Sequence, residues 1–160
     1  VVLLKLDSWN SNNQPLTIPS GITSIRDNAF SYWTSNDQVI TIPDAVTDID
    51  QYAFSSWNAN NQLLTIPSGI TDIGYGAFDY WYNNNQVLTL PSALVTISGY
   101  AFSGWIINNQ PLTIPSGVTS IDEYAFASWY ANVQPLTFAG DNVPTIGYDA
   151  FDQFGDDYNT

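Results

Sequence analysis

Three features of the residue order point to a repeat solenoid, mainly β. All six tryptophans, Trp9, Trp33, Trp57, Trp81, Trp105 and Trp129, stand 24 residues apart. Other side chains keep the same step: Asn12, Asn36, Asn60, Asn84, Asn108 and Asn132, with Gln14, Gln38, Gln62, Gln86, Gln110 and Gln134 two places on. The chain of 160 residues is 44% apolar and only 11% charged, enough for one domain with a real core. A unit of 24 residues cannot bury an apolar face alone. Stacked on its neighbours it builds a continuous core, which is the solenoid solution.

Each element of the unit follows from its residues. Gln14–Ile18 alternates with period two and reads as a short strand. Pro19 has no N–H to give a ladder and marks the strand's end, and Ser20-Gly21 turns the chain. Ala29-Phe30 recurs as Ala53-Phe54, Ala77-Phe78, Ala101-Phe102 and Ala125-Phe126, and is expected to make one helical or 3₁₀ turn. Residues 1–15 form a partial N-terminal repeat, 16–135 five repeats of 24, and 136–160 a divergent last repeat. There Ile146, Ala150-Phe151 and Phe154 (in the place of Trp) still follow the template after one inserted residue. About six short parallel strands at the usual spacing would stack to roughly 30 Å within a single domain, 1–160.

The unit LTIPSGITSIRDNAF, repeated as LTIPSGITDIGYGAF and LTIPSGVTSIDEYAF, resembles the BspA-like (Treponema-type) leucine-rich repeats of bacterial surface proteins. Those repeats carry a strand ending in Ile-Pro, then Val-x-x-Ile, then Ala-Phe. The resemblance covers nearly the whole chain. It implies a right-handed, leucine-rich-repeat-like solenoid with its strands on one face, in a family where many members look like adhesins or surface-binding proteins. The chain departs from the pattern before the strand. Trp stands where the family has a small residue or Cys, and Asn-x-Gln with one extra residue replaces the Leu segment.

Two readings of that Asn-x-Gln segment stand. Counted back by twos from inward Leu16 and Ile18, Gln14 and Asn12 share the inner face, so the amides would stack as ladders bonding the copies above and below. Alternatively they shape a corner turn. The ladder is preferred because every copy keeps both amides in a period-two frame, and buried amides need partners. The Trp row reads as core rather than as sugar-stacking faces, since an unchanged large residue in every copy is most simply buried. The row Phe30, Phe54, Phe78, Phe102, Phe126 and Phe151 reads as core as well.

The strand's other face is the candidate contact site. If Leu16 and Ile18 point in, the outward rows are Thr17, Thr41, Thr65, Thr89, Thr113 and Thr137 beside Pro15, Val39, Leu63, Val87, Pro111 and Pro135. This is a flat, uncharged stripe, and contiguous exposed apolar surface usually marks a contact. Lateral protein packing, a glycan or other ligand surface, and an ice-binding array are the functional readings. The plain alternative is that Thr is a good solvent-face strand residue.

Charge and missing residues narrow the chemistry. Two cations, Lys5 and Arg26, face 15 acids for a net charge of −13, so phosphate neutralisation on nucleic acid and attraction to anionic membranes both fail. No apolar run is long enough to span a bilayer as a helix, so membrane insertion is not expected. With no Cys and no His, thiol nucleophiles, the commonest general base and the commonest zinc ligands are absent. No cofactor is expected. Asp44, Asp48 and Asp50, and Asp149, Asp152, Asp156 and Asp157, are clusters that calcium would need, but neither recurs with the repeat, and a solvated acidic surface is the preferred reading. No phosphate loop or Gly-x-Ser-x-Gly elbow occurs, and no carboxylate pair stands out, so no enzyme is expected.

The function expected from these readings is a non-enzymatic extracellular or cell-surface protein acting in adhesion or binding. Its partners would be protein or glycan surfaces, or other copies of itself. The alternative is a structural subunit of a self-assembling fibre. Val1-Val2-Leu3-Leu4 and Thr160 enter and leave the template at incomplete turns, and unpaired strand edges invite association. The absence of an initiating Met or signal-peptide pattern reads as processing, or as a fragment of something longer.

Overall fold

The computed structural model describes Asn13 and residues 15–155, and it is a parallel-strand solenoid. Each coil crosses two ladders rather than one. The first holds the predicted strands. β1 (Leu16–Thr17) pairs with β3 (Ile40–Thr41), bridges carry the row through Thr41–Thr65 and Thr65–Thr89, and β7 (Leu112–Ile114) pairs with β9 (Leu136–Phe138). Thr stands opposite Thr in each of these pairings. Inward Leu and Ile alternate with outward Thr, as the period of two requires.

The second ladder is the continuous one, and period reading of the Leu-Thr-Ile segment did not locate it. β2 (Ser24–Ile25), β4 (Asp48–Ile49), β5 (Asp72–Ile73), β6 (Thr96–Ile97), β8 (Ser120–Ile121) and β10 (Thr145–Ile146) form one six-stranded parallel sheet. Ile25, Ile49, Ile73, Ile97 and Ile121 follow one another in register and are buried. Strands of two residues are stable here because every coil is flanked by another in the same register. Alone they would be too short to persist.

The Ala-Phe segment corrects an expectation: it makes no helical or 3₁₀ turn among the described residues. Instead Asn28, Phe30 and Tyr32 donate their backbone N–H groups to the carbonyls of Gln51, Ala53 and Ser55 in the next coil, at 2.8–3.0 Å. The intervening N–H groups of Ala29 and Ser31 close tight turns onto Arg26 and Asn28. The same pattern repeats at Tyr52, Phe54 and Ser56 and onward along the stack. Orienting the peptides this way requires left-handed backbone at two places per coil. Tyr52 and Ser56 lie at φ 53° and 63°, and Tyr100 at 57°. Each such non-glycine residue costs on the order of 1 kcal/mol, offset here by backbone groups satisfied between coils instead of within a helix.

The core runs the length of the stack. Trp33, Trp57, Trp81, Trp105 and Trp129 are buried and lie nearly parallel, 5.2–5.6 Å apart, and Phe154 closes the row on Trp129 at 5.5 Å. The Phe rings from Phe30 to Phe151 stack at 5.3–5.5 Å and meet the Trp rings edge-on within each coil. The indole N–H groups of three of them donate to carbonyls 27 residues back, in the preceding coil: Trp81 to Phe54, Trp105 to Phe78 and Trp129 to Phe102, all at 2.7 Å. Sugar stacking on these Trp faces is thereby ruled out by burial. Trp9 lies outside the described residues.

Candidate functional site

The Asn-x-Gln corner is structural, and the structure merges the two readings of it. Asn60, Asn84, Asn108 and Asn132 are buried. Each side-chain oxygen accepts the N–H of the Gln two residues on, as at Gln86, which shapes the corner. Each amide nitrogen donates to the backbone carbonyl of the preceding coil's Gln, as Asn84 does to Gln62 at 3.0 Å. The Asn amides therefore bond backbone, and the amides of Gln38, Gln62, Gln86 and Gln110 donate to the side chains of Asn13, Asp37, Asn61 and Asn85 at 3.2–3.4 Å, so neither row bonds its own copies above and below as expected. Gln38, Gln62, Gln86 and Gln110 are only half-buried and do not share the inner site, because the chain turns at Asn and the period-two frame stops there. Gln134 is exposed. The side-chain ladder lies one residue after Asn instead. Asn13, Asp37, Asn61, Asn85 and Asn109 each accept the N–H of their counterpart one coil on, at 2.8–3.0 Å. Asn12 and Gln14 lie outside the described residues.

The predicted contact stripe is solvent-facing along the described coils. Val39 is 54% exposed and Leu63 53%, with Val87 beside them, and Thr17, Thr41, Thr65, Thr89, Thr113 and Thr137 are all exposed. Thr113 and Thr137 share a hydroxyl–hydroxyl hydrogen bond of 2.9 Å. Between Thr89 and Thr113 the strand pairing lapses, and a hollow of about 400 Å³ opens among Val87, Thr89, Pro111 and Thr113. No charged residue contributes to either row, so the stripe is desolvated at little cost.

Acidic residues gather in one shallow hollow on the described coils. Asp48 and Asp50 share a shallow hollow with Asp27 and Asp72 rather than with Asp44. The sole described cation, Arg26, reaches Asp50 at 3.4 Å. No group of three or more acids is arranged to hold a metal among the described residues, a set that includes Asp149 and Asp152. Asp156 and Asp157 lie outside it.

A second feature escaped the sequence reading. Tyr52, Tyr75, Tyr100, Tyr124 and Tyr148 form one row, with ring centres 4.9–5.6 Å apart. Their spacings along the chain are 23, 25, 24 and 24, so a strict 24-residue search passes over them. Gly76 explains the slip. It occupies the left-handed position that Tyr52 and Tyr100 hold, at φ 58°, and the preceding Tyr75 supplies the ring. Gly99 leaves the room: a Cβ there would lie 3.1 Å from the Tyr75 ring. A glycine beside a tyrosine at these positions was the available signal. Desolvation, with charge on Tyr148 and Asp149, pushes the Tyr124 phenol up to about 12, and Tyr52, Tyr75 and Tyr100 are raised too. Tyr52, Tyr75, Tyr100 and Tyr124 therefore present hydroxyls, not phenolates, at any physiological pH.

Below this row sits Asp79, which replaces the Ser of Ser31, Ser55 and Ser103. It is only 5% exposed, and its Oδ1 has no hydrogen-bond partner. Burial raises its carboxyl to about 6, opposed by hydrogen bonds from Ser55 and from its own backbone. The raised value has a testable sign. The contribution of Asp79 to stability is fully present below the unfolded value near 3.8 and is lost as pH rises through about 6. Asp79→Asn should therefore be more stable than the parent at pH 7 by about 2–3 kcal/mol and no more stable at pH 3.5. Urea denaturation of the two proteins at both pH values measures this. An equal difference at both would mean that ionisation of Asp79 is not the cause.

The comparisons with known proteins agree with this architecture. The chain matches the BspA type leucine rich repeat region, in six copies, over residues 8–132 and 56–156. No curated protein matches it in sequence. Its fold is similar to the crystal structure of a Treponema pallidum leucine rich repeat protein, with a TM-score of 0.72 and 17% identity over 89% of this chain and 77% of that one. Among the described residues no helix is long and apolar enough to cross a membrane. The matched repeats span nearly the whole sequence, and the chain belongs to the BspA-type leucine-rich repeat family.

Proposed function

We propose that this is a non-enzymatic binding protein of the cell surface or extracellular space, acting in adhesion through its strand-face stripe. The observation that carries the reading is the stripe itself. Val39, Leu63 and Val87 stand about half exposed beside an unbroken row of Thr, in a molecule that buries its Trp and Phe rows. Its family is a repeat family of bacterial surface proteins and is generally non-enzymatic, which supports the same reading. A flat array of short uncharged side chains offers wide contact at small entropic cost, and suits a protein or glycan surface better than a small ligand.

Thr65→Lys combined with Thr89→Lys tests it. Two charges in the centre of the stripe should weaken capture of protein or glycan surfaces at least about tenfold, because buried unpaired ammonium groups oppose contact. The circular dichroism spectrum and the urea midpoint should stay unchanged. Unaltered capture would remove the stripe from the function.

A second reading, a subunit stacking into fibres, draws on Phe138 and Ile146 at the last described coil, exposed by 36% and 43%. Negative-stain microscopy across a concentration series separates the two. Filaments with a regular axial repeat support the fibre, and discrete particles at every concentration support the monomeric adhesin.

A further inference from the structure

We propose that the hollow around Asp79 binds an organic cation bearing N–H groups on an apolar stem, a primary ammonium or a guanidinium, held by that carboxylate and a wall of tyrosine rings. The hollow, of about 490 Å³, is lined by Tyr32, Tyr52, Tyr75, Tyr80 and Tyr100 around Asp79, with Asn28, Ser55 and Ser56 between them. Three of these rings pack into one wall, Tyr52 on Tyr75 at 5.6 Å and Tyr75 on Tyr100 at 5.3 Å.

The argument begins where the repeat breaks. A small neutral residue would serve the fold at position 79, as Ser55 and Ser103 do one coil to either side. The chain carries a carboxylate there instead, nearly buried and with one oxygen unpartnered, an arrangement that costs stability and returns none to the fold. Its neighbours cannot supply what it lacks. Arg26, the sole cation among the described residues, pairs with Asp50 and does not line the hollow. The missing partner is a positive charge that can donate a hydrogen bond.

The walls select the same chemistry. Aromatic faces attract cations, Arg-like and Lys-like groups above all. Five phenol rings also cover an alkyl stem. A neutral sugar would pair with the phenol hydroxyls but leave the carboxylate charge uncompensated. Gly76 keeps the approach open. A Cβ there would stand 2.5 Å from a carbon of the Tyr52 ring and 3.4 Å from Asp79 Oδ2. The volume lies within the range of about 300–1,000 Å³ usual for small-ligand sites. The net charge of −13 enriches cations at the surface.

The test is calorimetric titration of the intact chain with n-butylammonium, n-butylguanidinium and the uncharged isostere n-butylurea. The two cations should bind, and the urea at least about tenfold more weakly. Asp79→Ser and Tyr80→Gly insert residues that the repeat already carries at Ser55 and Gly104, so both should fold, with unchanged circular dichroism. Asp79→Ser should abolish the preference for charge, and Tyr80→Gly should weaken both cations several-fold. A blocked Gly-Arg-Gly peptide separates the sources: tighter binding than n-butylguanidinium means the cation is presented by a partner protein, weaker binding a free small molecule. Equal binding of the urea, undiminished cation binding by Asp79→Ser, or no binding up to about 50 mM would each overturn the proposal. The hollow shares no residue with the strand-face stripe, so Thr65→Lys with Thr89→Lys should leave cation binding intact. Failure of one reading is thus distinguishable from failure of the other.

Discussion

Replacing Trp81 with alanine should cost the fold roughly 3–5 kcal/mol, at the upper end for a single core truncation. The indole is fully buried, lies 5.6 Å from both Trp57 and Trp105, and meets Phe78 edge-on at 5.8 Å. Its N–H satisfies the buried carbonyl of Phe54, which the variant would leave without that donor. The cavity cannot readily collapse, because the ladders hold the coils above and below at fixed spacing. A urea midpoint that falls with an unchanged slope would report this loss. A change under about 1 kcal/mol would mean that the Trp row is not the central support of the stack.

Asn108→Ala should be nearly as damaging, about 3–5 kcal/mol, although it removes a small polar side chain. The amide makes three bonds: its nitrogen donates to the carbonyls of Asn84 at 3.1 Å and Gln86 at 3.0 Å, and its oxygen accepts the N–H of Gln110 at 3.1 Å. It is fully buried, so alanine leaves two acceptors and one donor unsatisfied, with water poorly placed to replace the amide. Gln110→Ala is the control. That side chain is only partly buried, and its bond to Asn85, at 3.3 Å, is near the surface, so its loss should stay within about 1 kcal/mol. Equal losses at the two positions would show that burial of the Asn amide is not what matters. Thermal or urea denaturation of the pair decides it.

Much of the site and fold was legible because it is written within one coil and copied. The Trp and Phe rows needed only their 24-residue step, since a large apolar residue kept in every copy has nowhere to go but inward. The Thr stripe followed from the two-residue period of Leu16–Ile18. Asn-x-Gln was half legible. Its regularity implied a repeated bond, but the partner of each Asn proved to be backbone. A side chain's choice between an amide and a carbonyl depends on how far one coil is displaced from the next.

The repeat was readable from residue order alone: coil length, the inward aromatic rows, the outward Thr row, and the family to which the chain belongs. Those are properties of residue type and spacing, and hydrophobic burial enforces them in every copy. Only the stacked structure decided that Ser24–Ile25 and its counterparts form the continuous ladder, and that Ala-Phe lies in left-handed turns bonded to the next coil. The stack alone also brought Tyr75 into line with Tyr52 and Tyr100 over Asp79. The physical reason is common to all three. Backbone hydrogen bonds and ring contacts between coils join residues 23 to 26 places apart, and no local pattern encodes the register at which two coils meet.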